Sequence, residues 1–458
     1  MGFFKAYDMR GTFGADFDLG TVFRVGKALP QVVGGRRWLV GRDCRETSAA
    51  MRDALVRGLA AAGADVTDLG LVSTPMVYFF TSEGDFDGSV MITASHNPPG
   101  DNGLKVSMKT SLPVGYANGL AEVERLVKEQ GDGKPCEAEG LLPQVNRLSE
   151  ALGSYLDWMR AHAPDFSGLK FAVDCSNGMA SIWAREMFPG AVIFNDTLDG
   201  RFPSHSPNPL KAEARAALAA CVRERGLDCG VIFDGDADRC MFVDERGEFV
   251  QPDYLIPVVA KATLKAMATE RPGKPRIIHD VRTSRGAIEA LAELGCESVM
   301  VPVGHAFAKP ILRKVGAVCG GELAGHYYFS EFHGCDSGLL AALRILGEIA
   351  AAKRSGQPFS RMMRAISGRY ANSGELNFEV AQKDEAIARL LACAARELPP
   401  ETGRSAMDGI RVEFADGWFN VRKSNTEPYL RLIVECREAA RLAEWVKAME
   451  KTVLCHQG

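Results

Sequence analysis

Gly88-Ser89-Val90-Met91-Ile92-Thr93-Ala94-Ser95-His96-Asn97-Pro98 opens as an apolar run bounded by turn formers and ends in a polar turn. That is the pattern of a buried strand over 90–93, and it sets Ser95 just past the strand's end. In open α/β sheets, ligands gather at that edge. Asp101-Asn102-Gly103-Leu104-Lys105 follows closely and brings a lysine up behind the serine. Taken alone, a Ser-His-Asn-Pro string is also an ordinary surface turn, since these residues favour turns for local reasons of their own. The rest of the chain decides between the two.

Outward from this turn, strand and helix signals alternate. The pattern predicts a strand over 37–40, an amphipathic helix over 48–62 closed by Gly63, and the strand over 90–93. A polar, glycine-containing stretch at 128–140 loosens the pattern before a helix over 147–161. A second unit carries a strand at 170–174, a helix at 211–225 and two strands, 229–233 and 240–243, around the segment 234–239. A third unit carries helices at 253–269 and 285–294, strands at 276–279, 298–303 and 317–319, and a closing helix at 337–354. After Ser355-Gly356-Gln357-Pro358 the grammar changes to strands at 375–380, 409–414 and 430–435 mixed with two helices. The expected organisation is α/β with four domains: 1–146, 147–251, 252–366 and a smaller α+β domain, 367–458. No short repeat is visible, which excludes solenoids and propellers.

At 458 residues the chain exceeds what one hydrophobic core usually supports. Its 46% hydrophobic and 24% charged residues are those of an ordinary soluble globular protein. The net charge of -4 gives no global attraction to nucleic acid or an anionic membrane, so any anionic ligand is held by local basic groups. Twelve cysteines without a C-x-x-C pair argue against a disulfide framework or a zinc cluster and point to a reducing cytoplasm. The stretch Met1-Gly2-Phe3-Phe4-Lys5-Ala6 lacks a signal-peptide apolar region. It also lacks the Ser or Thr at position 6 that N-myristoylation favours, and no later apolar run approaches a membrane span.

Three further segments carry chemistry. Asp234-Gly235-Asp236-Ala237-Asp238-Arg239 places three carboxylates at alternating positions between two apolar strands. Such a cluster repels itself unless a cation sits in it, and three aspartates leave open positions of the kind Mg²⁺ keeps for phosphate oxygens. A solvated acidic hairpin is the plain alternative. A calcium loop is disfavoured by the missing downstream glutamate. Arg422-Lys423-Ser424-Asn425-Thr426, with Arg431 beyond it, offers a planar cation, hydroxyls and an amide suited to phosphate, or else forms a polar connecting turn. Gly320-Gly321-Glu322-Leu323-Ala324-Gly325-His326 supplies a carboxylate and an imidazole able to bind sugar hydroxyls. His305 starts a helix, where a histidine more often packs, and Arg10 in Tyr7-Asp8-Met9-Arg10-Gly11 suits an ordinary ion pair equally well.

The order of these segments, one in each expected domain, resembles the α-D-phosphohexomutase family in its phosphomannomutase/phosphoglucomutase branch, over nearly the whole length from Tyr7 to Arg431. The resemblance implies three similar α/β domains with mixed sheets and a smaller C-terminal α+β domain around a central cleft. It implies that Ser95 is a phosphoserine, with Mg²⁺ held by Asp234, Asp236, Asp238 and the Ser95 phosphate, and with Arg239 beside it. It implies that Lys105 and His305 serve proton transfer or orientation and that Arg10 is a further active-site arginine. Glu322 and His326 match the sugar loop, where Ala324 replaces a common serine, and Arg282 stands where some relatives have lysine. Arg422, Ser424, Asn425 and Thr426 match the loop for the non-reacting phosphate, and Tyr7, His96 and Arg431 complete the substrate-binding set. The implied reaction interconverts hexose 1- and 6-phosphates of mannose or glucose through glucose or mannose 1,6-bisphosphate, in a cytoplasmic monomer or homodimer. Phosphoglucosamine mutase, a metal-dependent sugar-phosphate phosphatase and a non-catalytic sugar-phosphate sensor are the alternatives. The cationic surrounding that the resemblance implies lowers the pKa of Lys105 and makes it a better proton-shuttle candidate than His305.

Overall fold

The computed structural model describes residues 2–131, 146–147, 150–267, 273–423 and 429–454. Four sheets follow one another along the chain. In the first, Gly88–Ile92, Arg37–Arg42 and Asp65–Leu71 run parallel, and Asp101–Met108 joins antiparallel between Gly88–Ile92 and Met9–Thr12. The register of that hairpin-like pair sets Met91 opposite Lys105, so the lysine and the turn at Ser95 come off the same sheet edge. Asn146–Arg147 still pairs with Thr67–Asp68, and the helix expected from 147 begins at Ala151, because the chain first adds this short strand to the sheet.

The second sheet is ordered Phe249–Val250, Cys240–Asp244, Cys229–Phe233, Phe171–Asp174, Val192–Phe194, and its antiparallel pair Cys229–Phe233 and Cys240–Asp244 brackets the acidic segment. The third is ordered Glu297–Val301, Arg276–Asp280, Cys319–Gly321, Tyr327–Phe329, Cys335–Asp336. Here the strand expected at 317–319 lies at Cys319–Gly321. Gly320 sits flush against its neighbour, where an added Cβ would lie 2.2 Å from Ile278 Cγ1, so Gly320 and Gly321 belong to a tightly packed central strand. The helix expected at 253–269 divides into a 3₁₀ turn, Pro252–Leu255, and an α-helix, Ile256–Ala266; residues 268 and 269 lie outside the described set. The fourth sheet is antiparallel, built on Gly417–Lys423 and Tyr429–Cys436, and carries the helices Lys383–Glu397 and Ala439–Leu454.

The second and third sheets share one apolar core with the helix Thr74–Glu83 of the first unit. The helix Gly338–Arg354 runs through it with every residue from Gly338 to Ala350 buried, and Ser337 caps it by accepting from the Leu340 N–H. Trp183 meets Phe233 edge to face at 5.0 Å directly beneath the acidic segment. Each such side chain contributes roughly 1.5–3 kcal/mol by burial, which gives the acidic loop a rigid floor. No described helix is long and apolar enough to cross a membrane.

Candidate active site

Ser95 is fully buried at φ 51°, a left-handed conformation that a non-glycine residue adopts only when its surroundings impose it. What imposes it is visible. The Ser95 N–H donates to Thr93 Oγ1 at 2.8 Å. Arg45, also buried, donates from Nη1 to the carbonyls of Pro98 and Asp101 (2.6 and 2.9 Å) and from Nη2 to those of Ser95 and Asn97 (2.9 and 2.7 Å). Its Nε lies 3.2 Å from Asp43. One guanidinium thus gathers the whole turn.

The acidic loop docks on this turn through Gly235, where a Cβ would lie 2.6 Å from the Ser95 carbonyl oxygen. Ser95 Oγ donates to Asp234 Oδ2 at 2.9 Å. Lys105 Nζ donates to Asp236 Oδ2 at 2.7 Å and Asp238 Oδ2 at 2.6 Å, and Thr74 Oγ1 donates to Asp236 Oδ2 at 2.5 Å. Arg239 Nε stands 3.6 Å from Asp234 and 3.7 Å from Asp238. Arg10 joins the same turn by donating to Asn97 Oδ1 at 3.1 Å while paired with Asp8. His96 Nδ1 lies 3.3 Å from Ser95 Oγ, and burial, Arg239 and Arg10 push its pKa well below the usual histidine value, leaving a neutral ring.

The three aspartates are fully buried, with one carboxylate oxygen of each within 4.8 Å of the others. Burial and then the like charges of Asp236 and Asp238 push the Asp234 pKa well up. For Asp236 burial also pushes upward, but Lys105 and Thr74 outweigh it and hold the carboxyl below its ordinary value. Asp236 Oδ1 and Asp238 Oδ1 are buried and accept no hydrogen bond from any described residue. Oxygen donors only, in a tight buried set with lone pairs to spare, fit a hard divalent cation. The expected lowering of the Lys105 pKa does not occur. Burial pulls it down, but Asp236 and Asp238 hold it above the ordinary lysine value, because the site facing this lysine is anionic.

The sugar loop approaches from the third unit. Arg239 and His326 form a β-bridge, and His326 Nδ1 bonds Asp336 at 2.7 Å, with Lys309 Nζ on the other oxygen of Asp336 at 2.8 Å. Both oxygens of Asp336 are therefore engaged, one by His326 and one by Lys309, and His326 with Asp336 forms a hydrogen-bonded pair beside the aspartate cluster. Glu322 accepts from Tyr328 OH at 2.5 Å and from the Gly304 N–H at 3.1 Å, and Ala324 lies at the loop tip without a hydroxyl. His305 opens the helix His305–Val315, 6.2 Å ring to ring from His326, and burial, Lys309 and Lys105 push its pKa well below the ordinary value. Tyr7 packs edge-on against His305 and Phe307, which carries the N-terminal segment across to the third unit.

Arg282, Arg422 and Arg431 do not gather at Ser95. They gather at the seam of the third and fourth units around Glu375, a residue the sequence did not single out. Ser424, Asn425 and Thr426 lie outside the described residues. Arg45, Thr74, Lys309 and Asp336 were likewise missed, since each acts through partners remote in the sequence.

Comparisons with known proteins identify the family. Models of the phosphoglucomutase/phosphomannomutase family match in four parts: the alpha/beta/alpha domains I, II and III over residues 1–132, 150–247 and 251–370, and the C-terminal domain over 375–452. The chain belongs to the phosphoglucomutase/phosphomannomutase family. It is 37% identical over 454 residues to a phosphomannomutase of Salmonella montevideo, and 36% identical over 454 residues to one of Escherichia coli K12, with 96% of each chain covered in both cases. A solved phosphoglucomutase/phosphomannomutase family protein of Burkholderia thailandensis superposes with a TM-score of 0.84 at 28% identity, covering 99% of this chain and 97% of that one.

Proposed function

We propose that this phosphohexomutase moves a phosphoryl group between O1 and O6 of a hexose monophosphate, with Ser95 as the residue that lends and recovers it. The observation that carries this is Ser95 Oγ at 2.9 Å from one of three buried aspartates whose carboxylates lie close enough together to share one ion. Asp234, Asp236 and Asp238, with the Ser95 phosphate, would hold Mg²⁺. Bound there, the ion would draw charge from the phosphoryl oxygens and orient the group.

The chain's own residues supply the rest. A sugar hydroxyl oxygen bonds to phosphorus as the bond from phosphorus to Ser95 Oγ breaks, giving a hexose 1,6-bisphosphate. In the second half the bisphosphate is reversed, Ser95 Oγ takes the other phosphoryl group, and the isomeric monophosphate leaves. The hydroxyl proton needs an acceptor, and the buried, neutral imidazole of His305 suits that task, while Ser95 Oγ takes up a proton as it leaves, so that the proton count balances over the transfer. Lys105, Arg239 and Arg10 offset the charge of three aspartates and a phosphoserine of about -2. Transfer of this kind depends mainly on positioning and neutralisation, which the buried set provides. Glu322 and His326 orient the sugar, and Arg422 with Arg282 takes the phosphate that does not react.

The test is a panel of mannose, glucose and glucosamine 1-phosphates assayed with Mg²⁺ and catalytic glucose 1,6-bisphosphate. Conversion to a 6-phosphate is expected, and it is lost in Ser95→Ala. Inorganic phosphate as the main product would reject the reading in favour of a phosphatase.

A further inference from the structure

Three guanidiniums converge on one carboxylate. Glu375 Oε1 lies 2.9 Å from Arg431 Nη1, and Oε2 lies 3.2 Å from Arg282 Nη1 and 3.7 Å from Arg422 Nη2. Arg422 and Arg431 are direct cross-strand partners in the fourth sheet, an arrangement of like charges that destabilises the pairing unless an anion is shared between them. Arg282, which reaches in from the third sheet, is also bound to Asp280 at 2.6 Å and stands 3.9 Å from Glu322, so its charge is already partly met. The turn that presents Glu375 is fixed: Gly374 is at φ 68°, and its N–H donates to Asn372 Oδ1 at 2.8 Å. Asn372 Nδ2 in turn donates to the buried Glu435 at 3.0 Å. Burial pushes the Glu375 pKa up, but Arg282, Arg422 and Arg431 outweigh it and hold it below the ordinary glutamate value, so the group is an anion at neutral pH.

Resting on the phosphohexomutase reading, we propose that Glu375 is the resident anion of this three-arginine site, occupying the place of the substrate's non-reacting phosphate and displaced when that phosphate binds. A carboxylate offers two oxygens to three arginines, whereas a phosphate dianion offers three oxygens and twice the charge, so it draws the arginines away from Glu375. The consequence is kinetic. A bisphosphate has to leave its cradle, reverse and bind again within one cycle, and a three-arginine site with no internal competitor would hold a phosphate too long. Glu375 keeps the cradle charged but exchangeable and ties the third and fourth units together when it is empty of substrate.

The test is calorimetric titration of inorganic phosphate into the wild-type chain, Glu375→Gln, Arg422→Ala and the double variant. Glu375→Gln is expected to lower the phosphate Kd on the order of tenfold, the loss of one charge-assisted competitor, and Arg422→Ala is expected to cancel that gain. With substrate, Glu375→Gln should show a lower KM together with a lower kcat. An unchanged or weaker phosphate Kd in Glu375→Gln would overturn the proposal and leave the mutase reading intact, as would tightening that persists without Arg422. Failure of that reading registers separately, as no mutase turnover by the wild-type chain.

Discussion

Replacing Arg45 should damage the molecule far more than its distance from the reaction suggests. Arg45→Met removes a donor from four main-chain carbonyls between Ser95 and Asp101, of which that of Pro98 keeps the Asp101 N–H, and leaves Asp43 buried beside an apolar side chain. Stranding one partner of a buried ion pair costs about 3–5 kcal/mol, and each carbonyl left without a donor costs about 1–3 kcal/mol before relaxation. Because the turn can open and let water reach some of these groups, the net loss expected is on the order of 5 kcal/mol, a large part of the roughly 5–15 kcal/mol that holds a domain folded. Arg45→Lys is the informative companion. It keeps the charge against Asp43 but not the planar fork, so it should fold while Ser95 loses its fixed direction. Misplacement by about 1 Å is worth about 10²-fold in rate. Urea unfolding of both variants, with kcat and KM for the lysine variant, measures this. A loss below about 1 kcal/mol in Arg45→Met together with wild-type kcat in Arg45→Lys would refute the account of how the serine turn is held.

Asp236→Ala removes the shared partner of Lys105 and Thr74, so kcat should fall by at least about a hundredfold and the Mg²⁺ concentration needed for half-maximal activity should rise; an unchanged metal titration would count against the cluster. Asp253 is fully buried, and burial pushes its carboxyl up to about 7, although it accepts the Ser284 N–H at 2.8 Å. Its folded pKa is thus above the unfolded value, so its contribution is fully present at pH below the ordinary aspartate range and is lost as pH rises toward about 7. Asp253→Asn, which keeps the acceptor, should therefore raise Tm at pH 8 and have less effect at pH 5; an equal shift at both would show that the charge is not responsible.

The contrast between what was legible in the sequence and what was not has a physical cause. Ser95, the aspartate triplet, Glu322 with His326, and Arg422 stand out in the sequence because each sits in a contiguous polar loop, and it is the order of these loops along the chain, rather than any one of them, that separates them from ordinary turns. Thr74 does not, because it meets Asp236 across 162 residues and its own surroundings read as an ordinary helix start. Arg45 is also silent, since its partners are main-chain carbonyls, which any sequence would supply. Glu375 lies just past a turn and acquires meaning only when the third unit brings Arg282 to it. The Lys105 pKa has the same origin: the resemblance sets Lys105 in a cationic site, whereas the fold places its ammonium between two carboxylates.

The covalent state of Ser95 decides the mechanism most directly. The chain should be incubated with glucose 1,6-bisphosphate and Mg²⁺, cleared of small molecules, and the peptide containing Ser95 analysed by mass spectrometry before and after addition of a hexose monophosphate. The expected result is one phosphoryl group on Ser95 that departs into bisphosphate when the acceptor is added. Mutase turnover by a chain whose Ser95 never carries phosphate would contradict it.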